Sequence, residues 1–187
     1  MFWKRLTDLL ISFVALACLA PLLLLIALAI KLDSPGPAIF RQKRVGRFGK
    51  LFEIYKFRTM NVGTPDLATD KMQLLPSPIT RIGEFLRKTS LDELPQLFNV
   101  ALGEMSLVGP RPALYNQTEL TAKRMAAGVL EFPPGITGWA QINGRDELPD
   151  DVKVTADQWY CRNWRYTLDW QIIFSTFQAV LSKRGAI

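Results

Sequence analysis

Residues 9–30 form an apolar run, interrupted only by Ser12, that constrains the fold more than any other stretch. As a straight α-helix, this run would be about 33 Å long, enough to cross a bilayer core of about 30 Å. A secretory signal peptide is the first alternative, but Lys31 and Asp33 stand where a small-residue cleavage site would be expected. The run therefore predicts a membrane segment.

Pro21 lies in the middle of this run and leaves two topologies open. Proline removes a backbone hydrogen bond, so a bend is expected, although kinked helices also span membranes. Basic residues flank both ends of the run: Lys4, Arg5, Lys31, Arg41, Lys43, Arg44 and Arg47. The positive-inside rule places such residues in the cytoplasm. A re-entrant hairpin satisfies both flanks, whereas a spanning helix satisfies one.

The complete absence of histidine restricts the chemistry of this 187-residue chain. It excludes Ser-His-Asp and Cys-His triads, imidazole zinc sites and histidine general bases. The two cysteines, Cys18 and Cys161, are too few for a zinc site. The formal net charge of +6 favours an anionic partner, and the sequence has no basic low-complexity tail of the kind that binds nucleic acid. Carboxylates, lysines, hydroxyls and a bound metal remain as reactive groups.

The chain after the apolar run is predicted from periodicity and turn residues. Its first half reads as a turn at 33–37, a short extended stretch at 38–42, a basic loop on lipid headgroups at 43–50, a strand at 51–60, a polar loop or lid at 61–78 and an amphipathic helix at 79–88. Its second half reads as helix at 115–131, a loop with a short strand at 132–144 and helix at 152–163. A last helix at 169–183, with Asp169 as its cap, suits the membrane interface or the underside of the domain.

Asp92 and Glu93 are adjacent acids at the predicted start of another helix. Ser90 with Glu93 fits a capping box, whereas a start at Asp92 places Pro95 in the first turn, where proline is harmless. In either register the helix N-terminus favours the ionised form of Asp92. Acid pairs in such a turn are usually caps, so the pair alone is a weak indication of catalysis.

Arg111 gives the acid pair its chemical context, because Pro110 and Pro112 hold it in a set position downstream. Adjacent carboxylates and a fixed guanidinium suit phosphate chemistry with a divalent cation. Arg58, at the end of the predicted strand, is a second candidate phosphate ligand or a solvated strand-end charge.

Taken together, these motifs resemble the small monotopic phosphoglycosyl transferases, also called bacterial sugar transferases. The resemblance covers the apolar segment with its proline, the basic segment, YKFRTM at 55–60, TSLDELPQLFNV at 89–100, GEMSLVGPRP at 103–112 and PGITGWAQINGR at 134–145. The sequence departs from the family at Ala20, where serine often precedes the proline, and at Arg58, where lysine is common. Neither departure removes the acid pair.

The resemblance implies a two-step reaction. Asp92 would attack the β-phosphate of a UDP-sugar, releasing UMP and leaving a covalent phosphosugar, which a polyprenol phosphate such as undecaprenyl phosphate then takes. Glu93 is associated with Mg²⁺ in such proteins, so Asp92 and Glu93 are the expected metal ligands. The candidate substrate-binding residues are Arg58, Arg87, Arg111, Gln141, Asn143, Arg145 and Asp157.

The expected fold is α+β: a helix-rich single domain with a small β element and interfacial amphipathic helices. Residues 1–32 would form a re-entrant membrane hairpin, and residues 33–187 a catalytic domain on the cytoplasmic face of the bacterial inner membrane. Membrane lipids are expected partners, nucleic acid is not, and a homodimer is left open. Two alternatives are kept: a lipid-diphosphate hydrolase, and a non-catalytic scaffold that binds anionic lipids. The sugar would be selected by residues 61–78 and 115–131.

Overall fold

A computed structural model of the chain describes residues 1–64, 78–144 and 148–181. The helices are α1 (Phe2–Asp33), α2 (Arg81–Lys88), α3 (Gln96–Leu102), α4 (Thr118–Ala126), α5 (Trp139–Ile142), α6 (Asp150–Arg162) and α7 (Tyr166–Leu181). The strands are β1 (Ile39–Val45), β2 (Leu51–Phe57), β3 (Ser106–Val108) and β4 (Gly135–Thr137). The helix-rich fold with small sheets is as predicted, while most of the predicted lid, 65–77, lies outside the described residues.

Two small sheets connect these helices. β1 and β2 form an antiparallel hairpin, in which Lys43 pairs with Glu53 and Arg44 with Phe52. β3 and β4 form a parallel pair. The prediction of a loop over 43–50 is therefore wrong in its first half, because cross-strand pairing extends β1 to Val45 and leaves only a tight turn between the strands.

α1 contains the whole apolar run and is the one described helix long and apolar enough to cross a membrane. Pro21 lies inside it. Only 11% of its most apolar window is buried within the protein. The helix therefore exposes most of its apolar surface and is a candidate membrane span.

The first turns of α1 are fastened to the rest of the chain by polar contacts. The Asp8 carboxylate accepts hydrogen bonds from Ser106 Oγ at 2.7 Å and from the Leu107 amide at 3.2 Å. Arg5 donates to the carbonyls of Val100 and Ala101, where α3 ends. These contacts attach the start of α1 to α3 and β3.

The last turns of α1 are held by the same body, mainly through apolar packing. Ile26 and Ile30 share a buried cluster with Phe57 of β2 and Leu86 of α2. Asp33 accepts a hydrogen bond from the amide of Ile82 at 3.1 Å. Both ends of the apolar helix thus contact the sheet and helices that follow it.

α7 is anchored by Asp169, which is buried. Its carboxylate accepts hydrogen bonds from Lys4 Nζ at 2.6 Å, Tyr160 OH at 2.7 Å and Trp164 Nε1 at 3.1 Å. The prediction that Asp169 caps the helix is wrong, because α7 begins at Tyr166 and turns Asp169 inward to these three donors.

The opposite side of α7 exposes large apolar residues, as the predicted interfacial helix requires. Trp170, Phe174 and Phe177 are 56%, 65% and 66% exposed, respectively. They follow one another at helical spacing, so they lie on one face of the helix. An exposed apolar face of this kind is typical of a helix that lies at a membrane interface.

Candidate active site

The acid pair lies in a tight 3₁₀ turn, Leu91–Glu93, between α2 and α3. Ser90 enters the turn in the left-handed region, with φ 56° and ψ 16°, and its side chain makes no capping hydrogen bond. The predicted capping box is therefore wrong, and so is the prediction that Asp92 starts the α-helix, because α3 begins only at Gln96, after Pro95. The left-handed Ser90 turns the chain sharply after α2 and presents both acids ahead of α3.

Glu93 is the centre of an ion-pair network that joins three segments. Lys56 Nζ, near the end of β2, lies 2.7 Å from Glu93 Oε1, and the Arg111 guanidinium lies 3.4 Å from the same oxygen. Burial opposes ionisation of Glu93, but the two cations outweigh that effect and hold its pKa well below the usual range. Glu93 is therefore a permanent carboxylate that brings Lys56 and Arg111 together.

Asp92 has a different environment although it is the neighbouring residue. It is 9% exposed, and within the described part of the chain its carboxylate accepts no hydrogen bond. Burial, followed by the negative charge of Glu93, raises its pKa, while Lys56, Arg111 and Arg87 act in the opposite direction. Two carboxyl groups with pKa values driven apart are typical of a site in which they perform different roles.

The loop that carries Arg111 is held between β3 and β4. The Gly109 amide donates to the Thr137 carbonyl at 2.8 Å, and the Gly135 amide donates to the Pro110 carbonyl at 3.0 Å. A Cβ atom at Gly109 would collide with the backbone near Pro133. Glycine is required here because two backbones meet without room for a side chain.

Among the predicted site residues, the structure brings Arg111 into contact with Glu93, next to Asp92, and the charge of Arg87 acts on the Asp92 carboxyl from a greater distance. The structure adds Lys56, which was not among the candidates. Alternation along the predicted strand at 51–60 places Lys56 on the same face as Arg58. Nothing in that pattern points to the acid pair.

Other predicted site residues contact the protein itself. Arg58 is buried and donates to the carbonyls of Ser34 (2.8 Å) and Pro35, so it fastens the chain where α1 ends. Asp157 is 1% exposed and pairs with Arg124 at 2.6 Å. No described contact joins Arg58 or Asp157 to the acid pair, and their binding of substrate stays a prediction.

Two predicted substrate-binding residues come from the motif at 134–145: Gln141 lies on α5, and Asn143 follows it. Gln141 donates to the Ile136 carbonyl at 2.9 Å, while its Oε1 is buried without a hydrogen-bond partner within the described residues. Asn143 is exposed and donates to the Trp139 carbonyl at 2.8 Å. Trp139 stacks on Trp159, with ring centroids 4.4 Å apart. Arg145 lies outside the described residues.

The donor set of the site suits a metal ion that uses substrate oxygens as further ligands. Within the described residues there is no group of three or more carboxylate, cysteine or histidine side chains that could enclose a metal. Two adjacent carboxylates remain, Asp92 and Glu93, which is the number that Mg²⁺ takes when phosphates supply other ligands. The residues therefore fit Mg²⁺ bound together with a substrate.

Comparisons with known proteins identify the family of the chain. The family model described as bacterial sugar transferase matches residues 1–183. An undecaprenyl-phosphate glucose phosphotransferase of Komagataeibacter xylinus is 46% identical over 100% of this chain and 37% of its own length. An uncharacterized sugar transferase of Bacillus subtilis, EpsL, is 42% identical over 99% of this chain and 90% of its own length.

A third relative acts on a different sugar according to its name. It is a UDP-N-acetylgalactosamine-undecaprenyl-phosphate N-acetylgalactosaminephosphotransferase of Aeromonas hydrophila, 38% identical over 99% of this chain. The chain spans 45% of that protein and 37% of the Komagataeibacter one. The match to the family model over residues 1–183 shows that the chain belongs to the bacterial sugar transferase family.

Proposed function

We propose that the chain transfers a sugar-1-phosphate from a UDP-sugar to a polyprenol phosphate and releases UMP, as the first membrane step of glycoconjugate assembly. Relatives named as undecaprenyl-phosphate sugar phosphotransferases support this reaction class. The observation that carries the proposal is the adjacent acid pair and its cations: Lys56 Nζ lies 2.7 Å and the Arg111 guanidinium 3.4 Å from Glu93 Oε1, while Asp92 accepts no hydrogen bond within the described residues. This combination provides both a carboxylate nucleophile and charges that neutralise phosphate.

In the proposed first step, an Asp92 carboxylate oxygen attacks the β-phosphorus of the UDP-sugar. The bond from that phosphorus to the bridging oxygen breaks, UMP leaves with the electron pair, and the phosphosugar is esterified to Asp92. Its raised pKa makes Asp92 a more basic, and hence stronger, nucleophile than Glu93. Arg87 and Arg111 would neutralise the charge that develops on phosphate oxygens.

In the proposed second step, a phosphate oxygen of the polyprenol phosphate attacks the same phosphorus. The bond from phosphorus to Asp92 breaks, the carboxylate is regenerated and a polyprenyl-diphosphate-sugar leaves. Neither step requires histidine, in keeping with its absence from the sequence.

Product analysis tests the proposed reaction against the two alternatives. With a UDP-sugar and undecaprenyl phosphate, we expect equal amounts of UMP and lipid-linked sugar diphosphate. In a parallel reaction supplied with undecaprenyl diphosphate, a hydrolase would release free phosphate. A scaffold would release neither UMP nor phosphate. Either of those outcomes would overturn the proposal.

A panel of UDP-sugars in the same assay would identify the donor sugar. The names of the relatives include glucose, galactose and N-acetylgalactosamine, so family membership does not select one. We propose that residues outside the shared motifs, in 61–78 and 115–131, make the selection.

We also propose that Asp92 and Glu93 bind Mg²⁺ together with the substrate diphosphate. When bound, the metal would neutralise charge on the phosphates. We expect EDTA to abolish UMP release and added Mg²⁺ to restore it. In calorimetry, we expect Mg²⁺ to strengthen UDP-sugar binding to the wild type but not to Glu93→Gln. Activity that persists in EDTA would contradict the metal's role.

For the membrane segment, we propose a re-entrant hairpin rather than a spanning helix. The start of α1 contacts Ser106 and Ala101, while its end contacts Phe57 and Leu86. A folded body remains on one side of a bilayer, so a helix with both ends fastened to it supports re-entry. The bend at Pro21 would then occur within the membrane, and the acid pair would lie at headgroup depth on the cytoplasmic face.

The hairpin predicts the location of both chain ends. Tags placed at residues 1 and 187 should both be cytoplasmic, so membrane-impermeant reagents should label neither in intact cells and both after lysis. A tag carried into the periplasm by a short segment added at one chain end would serve as the positive control for labelling in intact cells. Labelling of residue 1 in intact cells would refute the hairpin.

Lys56 should determine how far UMP release persists toward acidic pH. Its ammonium group favours the ionised form of Asp92, so Lys56→Gln should raise the pKa of Asp92 further. Since the attack needs the carboxylate, the acid limb of the pH profile for UMP release should move to higher pH. Lys88→Gln, which removes an exposed lysine paired with Glu84, is the matched control. A limb that stays in place would contradict the assigned environment of Asp92.

A further inference from the structure

The segment around Arg111 is held through its carbonyl groups. Pro110 and Pro112 have no N–H group, so neither can donate a hydrogen bond that would hold the segment. Instead, donors from other elements form hydrogen bonds to the carbonyl groups of consecutive residues in the segment. Arg124 Nη1 binds the carbonyl of Arg111 at 2.7 Å, and Arg44 Nη1 binds that of Pro112 at 3.1 Å.

Arg124 is the more buried of these two arginines. It lies in the last turn of α4, and its Nη2 is 2.6 Å from the Asp157 carboxylate of α6. The side chains of Arg124 and Asp157 are only 5% and 2% exposed. A planar guanidinium that is bound at one nitrogen by a buried carboxylate has little freedom left at the other.

Stability alone is a weak reason for such a pair. Removing two charges from water is costly, and replacement of buried ion pairs by apolar residues of similar size is often neutral or stabilising. What an apolar pair could not provide is the donor to the Arg111 carbonyl. The contact therefore points to placement of Arg111 rather than to stability.

We propose that Arg124, oriented by Asp157, is a positioning residue that sets where the Arg111 guanidinium meets the phosphates of the substrate. Asp157 then acts through Arg124 and Arg111 instead of contacting the sugar nucleotide. This inference rests on the proposed function, in which Arg111 binds phosphate.

The double variant Arg124→Met/Asp157→Leu separates positioning from folding. It removes both charges together and fills the same space with apolar atoms, so a similar melting temperature is expected. Without the contact to its carbonyl, Arg111 should be misplaced, and kcat/KM for UMP release should fall about 10- to 100-fold. Lys88→Met is the control, because it removes an exposed cation that pairs with Glu84 and lies outside the two ranges proposed to select the sugar.

A double-mutant cycle with Arg111→Met provides the decisive readout. If Arg124 and Asp157 act through Arg111, the double variant should cause no more than about a twofold further loss once Arg111 is absent. An equal loss in both backgrounds would show a general structural role and overturn the inference.

The same cycle distinguishes failure of the inference from failure of the proposed function. If Arg111→Met alone leaves UMP release unchanged, the phosphate-binding role of Arg111 is wrong and the inference falls with it. If Arg111→Met is impaired but the double variant is fully active, only the inference is wrong. Should the double variant not fold, Arg124→Lys, which keeps the charge beside Asp157 but offers no planar second donor, is used in the same cycle. Arg124→Lys should likewise cause no more than about a twofold further loss in the Arg111→Met background.

Discussion

Asp92→Asn is expected to lower UMP release by about four orders of magnitude or more, as loss of an enzyme's nucleophile typically does. The amide has the size of the carboxyl group but cannot attack phosphorus. Because Asp92 accepts no hydrogen bond within the described residues, the substitution should leave the melting temperature nearly unchanged. The rate is measured as UMP released from a UDP-sugar with and without polyprenol phosphate.

Glu93→Gln serves as the companion variant to Asp92→Asn. It weakens the contacts with Lys56 and Arg111, so both activity and stability should fall. Its UMP release should nevertheless exceed that of Asp92→Asn, since the nucleophile remains. Activity of Asp92→Asn above about one hundredth of the wild-type rate would contradict the role of Asp92 as nucleophile.

The second large effect is expected on stability, from Asp169→Leu. This change leaves the buried Lys4 ammonium, the Tyr160 hydroxyl and the Trp164 indole N–H without their shared acceptor. Loss of one partner of a buried ion pair costs about 3–5 kcal/mol. The free energy of unfolding should fall by this amount and the melting temperature by roughly 6–20 °C.

An exposed ion pair supplies the control for Asp169→Leu. Glu119 is 84% exposed at its side chain and pairs with Lys123, so Glu119→Leu should change the melting temperature little. Lys4→Met should lie between the two, because it leaves Asp169 with two of its three donors. If Asp169→Leu were as stable as Glu119→Leu, the fastening of α1 to α7 would be refuted.

Local pattern was sufficient to predict much of the fold. The apolar run predicted a helical α1, the stretch at 51–60 predicted β2, and spacing of apolar residues predicted α2. In each case, neighbouring residues determine the conformation. The acid pair could also be located, because adjacent carboxylates and the Pro-Arg-Pro segment are visible in the sequence.

The missing parts are contacts between residues far apart in the chain. Lys56 reaches Glu93, and Arg124 reaches both Asp157 and the Arg111 carbonyl, across separations that no local period records. The left-handed Ser90 is another case, since serine has no preference for this region and the capping pattern indicated a different start for the helix.

The different tasks assigned to Asp92 and Glu93 also depend on these contacts. Adjacent acids in a sequence are chemically similar until cations are placed around them. The structure places Lys56 and Arg111 directly on Glu93 and leaves Asp92 without a hydrogen-bonding partner among the described residues. The resemblance implies different roles for the two acids, and the structure gives them different surroundings.

The central claim is the covalent intermediate on Asp92, and trapping it tests the claim most directly. The protein is supplied with UDP-sugar that is radiolabelled in the β-phosphate, without any lipid acceptor. We predict that UMP release stops at one equivalent and that the label stays on the protein, where peptide mapping locates it at Asp92. Added undecaprenyl phosphate should then take up the label. None of these events should occur in Asp92→Asn. UMP that appears only after the lipid is added, with no label on the protein, would contradict the claim.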